Sequence, residues 1–166
     1  MIFLFVLVTA TLLSAGWLAI RRRWSPRTAA RTGLAIAMIF AGAAHWLMPT
    51  PFVQHLPEWV PAAEALIFLT GGLEVALGLA LFLRQPWRRL AGLALAAYLV
   101  AVFPSNIYVA VANVDVDGQP GGWYPWARLP FQVLFIAWAL WSTRAEARVT
   151  GAGPAVPTPS GARAAA

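Results

Sequence analysis

The stretch Leu69–Leu83, LTGGLEVALGLALFL, decides the fold. It is built from leucine, alanine, glycine and a little valine and phenylalanine. It is also too long and too uniformly apolar for a strand of ordinary length. With its apolar flank it runs over 62–83, about 33 Å as a helix at 1.5 Å per residue. That matches the hydrocarbon core of a bilayer, about 30 Å thick. One residue is out of place: Glu74 puts a carboxylate near the middle of the run.

The rest of the 166-residue chain follows the same pattern, being 60% hydrophobic and 11% charged with a mean hydropathy of +0.68. Soluble domains carry about 25% charged residues. Apolar runs cover 1–20, about 29–48, 62–83, about 89–112 and about 126–143, each near the ~20 residues a spanning helix needs. The chain therefore reads as an all-α polytopic membrane protein. In the first run Arg21, Arg22 and Arg23 follow the apolar core, whereas a secretory signal places its positive charge before it. An uncleaved first helix is expected. The segment 1–24 forms this helix and a basic turn, 25–148 a four-helix membrane domain, and 149–166, which lacks a periodic apolar face, a disordered tail.

There is no cysteine, which excludes thiol relays, Cys-ligated zinc, iron–sulfur clusters and covalent haem within the chain. No paired histidines stand at ligand spacing, so no metal is expected. All 12 basic residues are arginine and the net charge is +6. The arginines cluster beside apolar runs, which points to anionic lipid headgroups and away from nucleic acid. An outside N-terminus leaves eleven of the 12 arginines in the cytoplasm, with Arg128 outside. The positive-inside rule then predicts five spans, N-terminus out and C-terminus in. Trp46, Trp59, Trp123, Tyr124 and Trp126 would mark the outer interface, and Trp17, Trp24, Trp87 and Trp141 the inner one.

Five polar residues then fall at or below the outer interface: His45, Glu74, Asn106, Arg128 and Gln132. Arg128 and Gln132, four apart, share a helix face. Together the five can form an outward-opening polar pocket with Glu74 at its floor and Glu64 at its rim. A carboxylate in the membrane core is a functional candidate by default. It can also be a protonated structural residue bonding a neighbouring helix. Gly71 and Gly78 share its face, so another backbone or a ligand could approach there. His45 reads either as a pocket residue or as an interfacial histidine bonding a carbonyl. Pro104 breaks its helix, and Asn106 is placed to satisfy the freed backbone. Arg128 is an interfacial cation, a partner for Glu64 or Glu74, or an anion-capturing group. Pro130 is expected in the first turns of its helix, where a missing N–H does least harm.

The segments GAAHWLMP, LPEWVP, LIFLTGGLEVALGLALFL, AVFPSNIYVA and RLPFQVLFIAWAL, in this order, resemble the DoxX-like family of small bacterial membrane proteins. The resemblance covers about residues 29–143. It implies an antiparallel four-helix transmembrane bundle with one extra N-terminal transmembrane helix. It implies no particular reaction, since the family takes its name from a membrane subunit associated with thiosulfate:quinone oxidoreduction and most members have no established activity. The expected function is an accessory or binding component of the membrane, with a membrane protein or redox subunit as partner. The alternative is a quinone- or lipid-interacting subunit of an oxidoreductase, with Glu74 as proton donor. Whether the chain is itself an enzyme is left open.

Overall fold

The structure, a computed structural model, describes residues 2–145. The expected disordered tail lies outside them. Seven helices make up the described chain: α1 (Ile2–Ile20), α2 (Pro26–Leu47), α3 (Pro49–Val53), α4 (Ala63–Ala80), α5 (Trp87–Ala101), α6 (Phe103–Val111) and α7 (Tyr124–Ser142). Among the described residues there is no strand. Four helical stretches are long and apolar enough to cross a membrane: α1, α2, α4 and the α5–α6 pair. The fifth expected span, α7, is 19 residues long, but Arg128, Pro130 and Gln132 in its first half lower its apolarity.

Local chemistry sets the helix ends. Ser25 caps α2 by accepting a hydrogen bond from the Thr28 amide at 3.2 Å, with Pro26 in the first turn, where its lack of an N–H is harmless. Arg22 and Asn113 adopt left-handed φ values of 51° and 50°. Just beyond them, the Arg23 and Val114 amides reach back to Leu18 and Val109 at 2.9 and 3.2 Å. This is the six-to-one closure that satisfies carbonyls at a helix end. Ala62 is left-handed as well, so α4 begins at 63 and not 62. At its other end α4 tightens into i→i+3 turns at Phe82 and Leu83, which shortens the expected run to 83. The run at 89–112 is divided at Val102, with Pro104 in the first turn of α6. Pro130 sits deeper than expected because α7 starts at Tyr124, placing the proline inside the helix.

α2 is the hub. It packs most extensively on α1 and α4, and also touches α3 and α7, while α7 covers α5 and α6. Small residues make the α2–α4 approach possible. A Cβ on Gly42 would run into the Gly71 carbonyl, one on Gly71 would meet His45 Cβ at 2.7 Å, and one on Gly78 would meet the Ala35 carbonyl at 3.0 Å. The glycine face of α4 is therefore occupied by the backbone of α2, a close crossing of the kind small residues permit between apolar helices. Leu34, Met38, Leu77, Leu95 and Ala139 fill the space between the helices. Ile2, Leu12, Leu69, Leu79 and Val133 point outward. An apolar exterior over an apolar interior suits a hydrocarbon surrounding.

Candidate functional site

Glu74 faces the interior from the middle of α4 and is 8% exposed. The Tyr98 hydroxyl on α5 donates to its Oε1 at 2.7 Å. On the other side, His45 Nδ1 of α2 lies 3.4 Å from Oε2. The same nitrogen is 2.8 Å from the Ala41 carbonyl, an acceptor, so its proton is directed along its own helix. Glu74 Oε2 is thus buried with no hydrogen-bond partner. The His45 ring stacks on Phe52 of α3, with centroids 3.8 Å apart. Three helices and a short capping helix therefore converge on one carboxylate, which keeps an acceptor in reserve.

Gln132 and Asn106 form a neighbouring pair. Gln132 Nε2 donates to the Leu99 carbonyl at 2.8 Å, and Asn106 Nδ2 reaches Gln132 Oε1 at a long 3.5 Å. Leu99 O is a carbonyl that an unbroken α5–α6 helix would have bonded to residue 103, so the break leaves it without its helical partner. Gln132 fills the backbone-satisfying role expected of Asn106. It can do so because α7 lies directly against the break.

Arg128 pairs with neither Glu64 nor Glu74. Its Nη1 donates to His55 Nε2 and to Gln119 Oε1, both at 2.7 Å, and its guanidinium lies 6.0 Å from the Tyr124 ring centroid. Because His55 Nε2 accepts, Nδ1 carries the ring proton, and it donates to the Pro51 carbonyl at 2.6 Å. Burial first, and the Arg128 charge second, push the His55 pKa down to about 4. Gln54 Oε1 accepts from the Asp117 amide at 2.8 Å. Arg128 and Gln54 thus tie the α3–α4 connection to the α6–α7 connection. Glu64 is exposed at the start of α4.

The five expected residues therefore fall into three separate groups: His45 with Glu74, Gln132 with Asn106, and Arg128 with the α3–α4 and α6–α7 connections. Among the described residues, none of the five lines the open groove between α1 and α2 or the hollow bounded by Val53, Pro57 and Tyr108. Tyr98 and His55 were not singled out in the sequence. For Tyr98 a signal existed, since a buried tyrosine hydroxyl requires a partner and Glu74 is the unpaired group at similar depth. For His55 there was none, because its partner Arg128 is 73 residues away.

Together, the apolar helices and the buried polar centre define a helical protein of membrane type. The chain belongs to the family described as "Domain of unknown function (DUF8561)", whose model matches residues 34–143. That match takes in α3 to α7 and most of α2, and leaves out α1. No curated protein and no solved structure matches the chain.

Proposed function

We propose that the chain is an accessory or binding component of a membrane assembly, with His45, Glu74 and Tyr98 as the centre that engages its ligand or partner. The observation that carries this reading is Glu74 Oε2, a carboxylate oxygen buried in an apolar bundle with no donor to satisfy it. Intramembrane carboxylates are costly enough that they are usually retained for function. An unsatisfied one is primed for a hydrogen-bond donor from a bound group. The DoxX-like resemblance supports the same reading. In this proposal α2, α4, α5–α6 and α7 are an antiparallel four-helix transmembrane bundle, and α1 is an extra span. The N-terminus lies outside a bacterial plasma membrane and the C-terminus in the cytoplasm.

A second reading, favoured by the Tyr98 hydroxyl and Glu74 meeting at mid-helix depth, is a site for a quinone or lipid headgroup in a membrane oxidoreductase. A redox partner subunit would supply the electrons. One experiment separates the two. The protein is extracted in native-lipid particles, and its co-purifying proteins, quinones and lipids are identified by mass spectrometry, for wild type, Glu74→Gln and Tyr98→Phe. A stoichiometric membrane partner, lost in both variants, supports the accessory role. A bound quinone lost in both supports the second reading. Unchanged co-purification in Glu74→Gln overturns the assignment of this centre.

A further inference from the structure

α1 lies outside the matched family region, yet it is seated on α2 as closely as α4 is. A Cβ on Gly33 would collide with the Thr11 side chain and meet the Leu7 carbonyl at 2.9 Å. This tight crossing leaves a lateral groove of about 600 Å³ along the α1–α2 seam. Small residues, Thr9, Ala10, Ser14 and Thr32, form its concave part. The large side chains Phe5, Leu13 and Trp17 stand exposed along its α1 side. From Phe5 to Trp17 the groove spans about 18 Å of helix. That is close to the depth of one leaflet, roughly half of the 30 Å hydrocarbon core.

The Trp17 end of the groove is strongly basic. The Arg21 guanidinium lies 5.2 Å from the Trp17 ring centroid, and Arg22 and Arg23 follow, all exposed. Among the described residues no carboxylate forms an ion pair with these arginines. Arg27, in the first turn of α2, adds to the same sign: it donates to the Ala145 carbonyl, and among the described residues no carboxylate pairs with it. The opposite end, near Phe5, is apolar.

We infer that the α1–α2 seam is a binding site for one anionic phospholipid, its acyl chain in the groove and its phosphate among Arg21, Arg22 and Arg23. Apolar length, the position of the charge at one end, and the exposed arginines, unpaired with any carboxylate among the described residues, all match an amphiphile with a single anionic head. The site is separate from the Glu74 centre, which uses the other side of α2.

The test compares lipid retention by native mass spectrometry after reconstitution in nanodiscs of phosphatidylglycerol or of phosphatidylcholine. Wild type should retain one phosphatidylglycerol per chain in preference to phosphatidylcholine. Each Arg→Gln change among Arg21, Arg22 and Arg23 should weaken that preference about fivefold, the worth of one basic residue near an anionic surface. The groove-filling double variant Thr9→Phe/Ser14→Phe should release both lipids while helicity, read by circular dichroism, is unchanged. A variant that loses helicity is replaced by Ser14→Leu alone. Retention of phosphatidylglycerol by the filled groove overturns the proposal, as does a preference insensitive to the arginines. A lipid-free dimer of wild type that the filling variant dissociates would show that a second copy covers the groove, and would overturn it too.

Discussion

The Glu74 carboxyl and the Arg128 guanidinium do not meet. Each is instead held by neutral groups: the carboxylate by the Tyr98 hydroxyl, the guanidinium by His55 and Gln119. For His55 the consequence can be measured. Its imidazole is 8% exposed, bonded at both nitrogens, and held neutral. Its pKa falls from 6.5 to about 4 on folding. Between those values the unfolded chain binds the extra proton, so stability rises with pH through this window and is lost as pH falls. The full effect is at most roughly 3 kcal/mol. Thermal unfolding in nanodiscs should show a midpoint that drops from pH 6.5 to pH 4, and His55→Gln should flatten that slope. A slope that survives in His55→Gln would place the titrating group elsewhere.

At the scale of the helix pair, adjacent glycines differ sharply. Gly71 points at α2, where an added Cβ would meet both His45 Cβ and, at 2.9 Å, the Gly42 carbonyl. Gly72 points away, and its nearest neighbour would be a Trp46 ring carbon at 3.7 Å. Gly71→Ala should therefore destabilise by about 1–3 kcal/mol through overpacking. Gly72→Ala should be neutral or stabilising by up to about 1 kcal/mol, the helix-propensity difference. Equilibrium unfolding in mild detergent reads both. Equal effects would mean that the helices do not cross where the glycines touch. Because Gly71 abuts His45, the first substitution should also perturb the Glu74 centre.

Much of this element-level pattern was legible from the chain, because apolar runs and capping residues act locally. The break near Pro104 and the basic turns each gave their element away within a few residues, while the Ser25 cap starts α2 three residues before the apolar run expected from about 29. The partners did not. Gln132 finds Leu99 and Arg128 finds His55 only because of how the helices are rotated and offset, and no local spacing encodes that. Trp46 is a further case. It was expected as an interfacial anchor, yet its indole N–H donates to the Phe68 carbonyl of α4 at 3.0 Å, so it also ties α2 to α4.

For the whole molecule, the arginine asymmetry makes a claim about orientation. The chain contains no cysteine, so single introduced cysteines report position without background. Gly121, in the exposed α6–α7 connection, has open space around it, and Arg84, in the α4–α5 turn, is exposed. With the N-terminus outside, a membrane-impermeant maleimide should label Gly121→Cys in intact cells. Arg84→Cys should react only after permeabilisation. The reverse pattern would invert the topology and put the Glu74 centre nearer the cytoplasmic side.

What the sequence determined by itself is the set and order of apolar helices and the identity of the polar residues that do not belong among them. Length, apolarity and breaker residues are properties of contiguous segments, so they can be read without knowing what lies opposite. Only the tertiary structure decided which polar group answers which. The close α2–α4 crossing through Gly42, Gly71 and Gly78 sets the rotation that presents His45 to Glu74. The packing of α5 brings Tyr98 to the same carboxylate, and the joined α3–α4 and α6–α7 connections hold Arg128 away from it. In an apolar interior every polar atom must find a partner within hydrogen-bond reach, and that choice is made by helix register. Glu74 Oε2 is one atom that register leaves over among the described residues.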